Sequence, residues 1–268
     1  MTSWPSNQVL DTDKPDALID NESFMWYVLI VNESCRGRCF VNKAILREIV
    51  LEQEKSRKGM SVGIERSVLN DISKHIGLPH AVVISGIRRA GKSTLLNQII
   101  NSYYEKGVYY LNFEDERLVN FEVNDFNSLY ETFLELYGER KVFFFDEIQN
   151  VPKWEVFVRR MQDKRAKFFI TGSNASLLSK ELGTKLTGRC IAIELYPFSF
   201  HEFLAFKGCK LQKNAMSYTD ERASVKKYFA EYLIHGGMPE YLVYKNEALL
   251  KRVYEDILYR DIVARYDI

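Results

Sequence analysis

A glycine-rich segment has the residue types and the spacing that bind phosphate. Residues 86–93 match the pattern G-x-x-x-x-G-K-[ST]. The apolar run AVVIS (81–85) precedes the segment and a predicted helix begins at Lys92, so backbone N–H groups would converge on an anion. We expect Lys92 to reach the β- and γ-phosphates of a nucleotide, and Ser93 to supply a hydroxyl to Mg²⁺. The predicted nucleotide-binding residues are Gly86, Ile87, Arg88, Arg89, Ala90, Gly91, Lys92, Ser93 and Thr94.

Two carboxylates follow a second apolar run, VFFF (142–145). Asp146 and Glu147 would lie where this strand ends, and ligands of an open α/β sheet bind at the carboxyl ends of its strands. We expect Asp146 to hold Mg²⁺ through its water shell and Glu147 to accept a proton from the attacking water. An apolar strand that simply meets solvent at Asp-Glu is the alternative, which the phosphate-binding segment makes the weaker hypothesis.

Small polar residues follow a third apolar run, FFIT (168–171). Ser173 or Asn174 would orient the lytic water or contact the γ-phosphate if this strand lies beside the one that ends at Asp146. Capping of the next helix is the alternative, and both roles are compatible. Two further cations, Arg88 and Arg89, either add positive charge beside the nucleotide or face solvent or a partner.

The elements that must position these residues alternate along the chain between residues 81 and 195. Strands are predicted at 81–85, 108–113, 141–145, 167–171 and 190–195, and helices at 92–105, 126–137, 154–164 and 174–182. This alternation is typical of an α/β domain with a parallel sheet. Only helices are predicted beyond Pro197, at 199–207, 219–235 and 246–264, and they indicate a smaller helical domain or lid.

The first 60 residues have a different character. Residues 1–23 show no periodicity, 24–31 form an apolar run typical of a strand, and amphipathic helices are predicted at 42–58 and 64–76. We therefore predict three regions: an N-terminal extension (1–60), a nucleotide-binding core (61–196) and a helical lid (197–268).

Composition excludes several classes of protein. Lys and Arg number 37 and Asp and Glu 36, so the net charge of +1 argues against a protein that coats nucleic acid. Four cysteines are too few and too scattered for a disulfide scaffold, which favours a cytoplasmic location. The sequence has no apolar run of the eighteen or so residues that span a membrane, and its acidic start is not that of a secretory signal. We expect no membrane partner.

A basic cluster follows Trp154; its members are Arg159, Arg160, Lys164, Arg165 and Lys167. Such a cluster could bind a phosphate backbone, although most are solvated helix faces. Nucleic acid is therefore a candidate partner, and a solvated helix face is the alternative.

The ordered set of motifs resembles the prokaryotic ATPases of the AAA superfamily that are common in archaea. The resemblance covers roughly residues 64–268 and includes, besides the segment at 86–93, NFEDER (112–117), DEIQNVPKW (146–154), TGSN (171–174), LTGR (186–189), LYPFSFHEF (195–203), GGMP (236–239) and YRDIVARY (259–266). It implies an AAA-type P-loop fold: a central parallel five-stranded sheet flanked by helices, with the strand of Asp146 beside that of Asn174, and a C-terminal helical lid. Members usually continue into a C-terminal domain, so the chain would be a short or truncated member.

The resemblance also implies a role for Arg189. In such ATPases an arginine near this place reaches a γ-phosphate across a subunit interface, which would require a homo-oligomer. An arginine that anchors a loop to a carboxylate is the alternative.

We expect an enzyme that hydrolyses Mg·ATP to ADP and phosphate to drive a conformational change in a protein client. The competing hypotheses are a slow nucleotide-dependent switch and a DNA-associated ATPase.

Overall fold

A computed structural model describes residues 41–104, 107–172, 186, 188–209, 219–257 and 259 of the 268. The strand predicted at 24–31, the helix predicted at 174–182 and the candidates Ser173 and Asn174 lie outside these residues. Within them, no helix is long and apolar enough to cross a membrane.

A five-stranded, all-parallel sheet forms the centre, in the order β2-β3-β4-β1-β5. The strands are β1 (Ala81–Ser85), β2 (Tyr109–Asn112), β3 (Val142–Asp146), β4 (Lys167–Gly172) and β5 (Cys190–Glu194). The predicted α/β class and the parallel sheet are confirmed. Because β3 pairs with β4, the strand that ends at Asp146 lies beside the strand that precedes residue 174, as the resemblance implied.

Nine helices are assigned within the described residues. Those of the N-terminal and central parts are α1 (Lys43–Gly59), α2 (Leu69–Ser73), α3 (Lys92–Tyr103), α4 (Asp125–Tyr137) and α5 (Trp154–Asp163). Those of the C-terminal part are α6 (Phe200–Phe206), α7 (Thr219–His235), α8 (Pro239–Tyr244) and α9 (Glu247–Asp256), which together we call the lid. Short 3₁₀ turns cover Glu116–Leu118 and Ile148–Asn150.

Alternate side chains of the strands build two apolar layers, one on each face of the sheet. Phe143 belongs to the layer that includes buried residues of α1, α4 and α5, and it stacks on Phe168 with ring centroids 4.8 Å apart. Phe144 belongs to the layer that includes α3, and it stacks on Phe169 at 4.7 Å. Burial on both faces explains why these strands are continuously apolar in sequence.

Helix α1 packs on the central core. Its Leu46 and Ile49 are fully buried in the same apolar layer as Phe143. Further along α1, the side-chain amide of Gln53 makes two hydrogen bonds to the edge strand β2. Its Oε1 accepts from the Asn112 N–H at 2.7 Å, and its Nε2 donates to the Asn112 carbonyl at 3.0 Å. The sequence assigned this helix to the N-terminal extension, and the predicted region boundaries at 60 and 196 remain predictions.

The helix predicted at 64–76 is wrong for most of its length, because only Leu69–Ser73 is α-helical. Buried side chains bind the preceding backbone instead. Gln98 Nε2 donates to the Ile64 carbonyl at 2.6 Å, and the Ser67 N–H donates to Glu202 Oε1 at 2.8 Å. Tertiary hydrogen bonds therefore override the helical periodicity of this segment.

Candidate functional site

The strands carry their polar residues to one edge of the sheet. All five strands are parallel, so their carboxyl ends share that edge, and register pairs Ser85 with Gly172 and Asn112 with Asp146. Residues 86–93, the phosphate loop, leave β1 here and lead into α3. Gly91, at the N-cap of α3, has a φ of 96°, a left-handed conformation that favours glycine.

Lys92 lies within the phosphate loop, and only 4% of the residue is exposed. Its ammonium donates to the Gly86 carbonyl at 3.2 Å and to the Ile87 carbonyl at 3.4 Å. It also lies 3.4 Å from Glu147 Oε1. The structure thus brings together the predicted phosphate-binding lysine and the predicted general base.

Asp146 is fully buried at the end of β3. Burial raises the pKa of its carboxyl. Hydrogen bonds from the Ser93 and Thr171 hydroxyls act in the opposite direction but do not outweigh it. The neighbouring Ser93 hydroxyl and Asp146 carboxylate are hard oxygen donors, the ligands that Mg²⁺ takes beside nucleotide phosphates. These two residues therefore fit the predicted metal site.

Glu147 follows in a left-handed conformation with a φ of 51°. Its backbone N–H donates to the Thr171 hydroxyl oxygen at 3.0 Å, and Gln149 Nε2 donates to its carboxylate at 2.6 Å. Thr171, which sequence analysis did not place in the site, contacts both acidic residues from the end of β4. Its polar side chain at the end of an apolar strand was the available signal.

A cavity of about 470 Å³ opens beside the phosphate loop. The loop and α3 contribute Arg88, Arg89, Gly91, Lys92, Ser93 and Thr94, and other elements contribute Glu114, Glu147, Glu240, Arg252 and Asp256. Glu114 lies in a motif noted above, and Glu240 directly follows the GGMP motif. Arg252 and Asp256 gave no local signal, since only the placement of α9 brings them to the cavity.

Comparison with known proteins agrees with this fold. Residues 79–204 match a family model described as an AAA domain. The chain carries an AAA-type P-loop domain. An uncharacterised protein of Methanocaldococcus jannaschii is 38% identical over 232 residues, which are 84% of this chain and 50% of that protein. One from Haemophilus influenzae is 36% identical over 193 residues, which are 68% of this chain and 46% of that protein. The chain spans about half the length of these relatives.

Solved structures are more distantly similar to the chain. AMPPCP-bound DnaA from Aquifex aeolicus is 16% identical with a TM-score of 0.36, and the match covers 78% of this chain and 71% of DnaA. A STAND protein from Pyrococcus horikoshii is 15% identical with a TM-score of 0.40, over 68% of this chain and 30% of that one. At these scores the likeness supports no further inference.

Arg66 is a buried residue that hydrogen-bonds the backbone of the phosphate loop in the AAA domain. The residue is only 4% exposed, and its guanidinium donates to the Ala90 carbonyl at 2.7 Å and to the Tyr196 carbonyl at 2.5 Å. Its Nε donates to Glu202 Oε1 at 3.1 Å. Sequence analysis left Arg66 out of the site residues; the partners that show its role lie 24 to 136 residues away along the chain.

Arg189 is not brought to the phosphate loop within the chain. It directly precedes β5, so it lies at the amino edge of the sheet, opposite the site. Its guanidinium pairs with Asp163 at 2.7 Å, which is the loop-to-carboxylate contact that was the alternative. A contact with the nucleotide of another subunit remains a prediction, as does the role of Asn174.

Proposed function

We propose that the chain binds Mg·ATP at the phosphate loop and hydrolyses it to ADP and phosphate. One observation carries the proposal: Lys92 and Ser93 lie in contact with the strand-end carboxylates Glu147 and Asp146. Phosphoryl transfer needs charge stabilisation and positioning more than covalent chemistry, and these groups can supply both.

The phosphate loop would bind the nucleotide. Its backbone N–H groups and the N-terminus of α3 favour negative charge, and Lys92 adds a cation that is already buried beside them. Ser93 and Asp146 would hold Mg²⁺, which when bound neutralises charge that develops on the phosphates.

Glu147 would act as the general base. In the structure its carboxylate contacts Lys92 and Gln149, and exchange of one of these contacts would open it to a water. Phosphates that draw the Lys92 ammonium toward themselves would weaken one of them. The backbone hydrogen bond to Thr171 holds the main chain of Glu147 in place during this exchange.

The lid would couple the proposed hydrolysis to a conformational change. Glu240, Arg252 and Asp256 of the lid line the same cavity as the phosphate loop. Loss of the γ-phosphate would therefore change what the lid contacts, and a protein client bound to the lid would sense that change. Asn174 as a γ-phosphate sensor and Arg189 as a cation supplied to a second copy are parts of this proposal.

Nucleotide binding and turnover of two variants test the proposal. We expect Lys92→Ala to abolish ATP binding, because it removes the buried phosphate-binding cation. Glu147→Gln keeps the shape of the site and should bind ATP but lose about 10²-fold in turnover, since it removes the general base. Lys74→Ala, which removes an exposed lysine of an ion pair with Asp71, is the matched control.

Two outcomes would contradict parts of the proposal. Full hydrolysis by Glu147→Gln would show that Glu147 is not the base. Binding by the wild type with slow turnover that ignores Glu147 would favour the nucleotide-dependent switch over the enzyme.

A further inference from the structure

Each cation of the phosphate loop lies against a carboxylate from another part of the chain. The pairs are Lys92 with Glu147 at 3.4 Å, Arg88 with Glu114 at 3.6 Å, and Arg89 with Glu240. Two of the carboxylates follow strands of the AAA domain, and the third belongs to α8 of the lid. These carboxylates take the contacts that nucleotide phosphates would make with the same cations.

The pair of Arg89 with Glu240 joins the phosphate loop directly to the lid. Its side chains are 31% and 30% exposed, and both line the cavity. Because water reaches both groups, an anion that enters the cavity can replace Glu240 without leaving a charge buried and unpaired.

A second ion pair joins the lid to the segment before α2, but its partners cannot exchange in this way. Arg66 and Glu202 are each only 4% exposed, and Glu202 also accepts from the backbone N–H groups of Ser67 and Ser199. Breaking this pair would leave a buried charge without its partner, which is strongly unfavourable. The two ion pairs thus differ in kind: the Arg66 pair is a fixed anchor, and the Arg89 pair is an exchangeable contact.

We propose that Glu240 is a positioning residue of the lid, which holds Arg89 until nucleotide phosphate replaces it and so releases α8 from the phosphate loop. The inference rests on the proposed nucleotide binding at that loop. It assigns two effects to one carboxylate: Glu240 lowers the affinity of the site for nucleotide, and it makes the position of α8 depend on whether phosphate is bound.

A double-mutant cycle on mant-ATP affinity tests the first effect. We expect Glu240→Gln to tighten binding about two- to fivefold, the range that a partly exposed ion pair supports. Arg89→Ala should weaken binding, and adding Glu240→Gln to it should change nothing further, since the carboxylate acts through Arg89. Glu231→Gln is the matched control: Glu231 pairs with Lys207 at 2.6 Å within the lid.

Hydrogen exchange of α8 amides tests the second effect. Exchange should rise in the wild type when mant-ATP is added, and it should already be raised in Glu240→Gln without nucleotide. Unchanged affinity in Glu240→Gln, an equal gain in the Arg89→Ala background, or unchanged exchange would each overturn the inference while nucleotide binding stands. An equal gain would mean that Glu240 merely repels phosphate. A wild type that binds no more mant-ATP than Lys92→Ala would overturn the proposed function and this inference together.

Discussion

At the scale of single residues, Asp146 combines a functional position with an unfavourable environment. It is fully buried, and burial raises the pKa of its carboxyl even though the Ser93 and Thr171 hydroxyls hydrogen-bond it. The ionised form that a metal needs is therefore destabilised in the nucleotide-free protein. Functional sites commonly accept such a loss of stability.

Asp146→Asn should raise the free energy of unfolding of the nucleotide-free protein at pH 7.5, because it removes the buried charge. A carboxyl whose pKa is raised by folding stabilises the fold when protonated, below about pH 4, and loses that contribution as the pH rises through its folded pKa. The advantage of the variant should therefore shrink as the pH falls toward 4. Thermal melts over this range check it, with Asp71→Asn as an exposed control; a variant less stable than the wild type at pH 7.5 would contradict the argument.

At the scale of elements, the start of the phosphate loop is shaped by the chain that follows β5. The Leu195 N–H donates to the Ser85 carbonyl at 2.7 Å, which draws this segment against the loop. A Cβ on Gly86 would lie 2.3 Å from the Leu195 carbonyl oxygen, and Gly86 has a φ of 154°. The first glycine of the motif is thus required by the fold itself, before any phosphate is bound.

Gly86→Ala should therefore lower the free energy of unfolding by about 1–3 kcal/mol without nucleotide, because a backbone atom must move to admit the methyl group. Gly77→Ala is the control, since nothing lies within 4 Å of the added atom there. Urea unfolding of both variants gives the difference. Equal stability would mean that Gly86 serves only the phosphate.

Sequence pattern predicted what local chemistry determines. It located β1 at its observed bounds, and it placed Lys92, Ser93, Asp146 and Glu147 at one edge of the sheet. This was possible because an apolar run that stops at a polar residue marks the end of a strand. It failed where distant contacts decide. The backbone near Ile64 follows the side chain of Gln98 rather than its own periodicity, and Arg252 reaches the cavity only through the packing of the lid.

At the scale of the whole molecule, the lid is anchored through Glu202. Its carboxylate accepts from Ser67 and Ser199 N–H groups and pairs with Arg66, which in turn holds the phosphate loop through Ala90. Burial opposes ionisation of Glu202, but the Ser199 and Ser67 N–H groups and Arg66 outweigh it and lower its pKa. One carboxylate thus ties the backbone at Arg66 and Ser67, the phosphate loop and the lid together.

Glu202→Gln should destabilise the protein by about 3–5 kcal/mol, because it leaves the Arg66 charge buried without its partner. The stabilisation that Glu202 provides is present above its ordinary pKa, near 4.3, and is lost as the pH falls through its lowered folded pKa. The difference between wild type and variant should therefore be constant from pH 7 to 5 and shrink below pH 4. Chemical denaturation at these pH values measures it, and a difference below 1 kcal/mol at pH 7 would rule out the anchor.

The balance of charge around the cavity also bears on how fast a nucleotide arrives. Arg88, Arg89, Lys92 and Arg252 line the cavity together with Glu114, Glu147, Glu240 and Asp256, so the part of its wall that the structure describes carries equal numbers of cationic and acidic side chains. The side chains of such a wall project little net field into solvent, and a polyanion gains little long-range attraction from them before it enters. Capture is therefore governed by chance encounter, and the association rate constant should vary only weakly with ionic strength. On the proposed function, selectivity for phosphate would arise after entry, when the loop cations exchange their internal partners for the ligand.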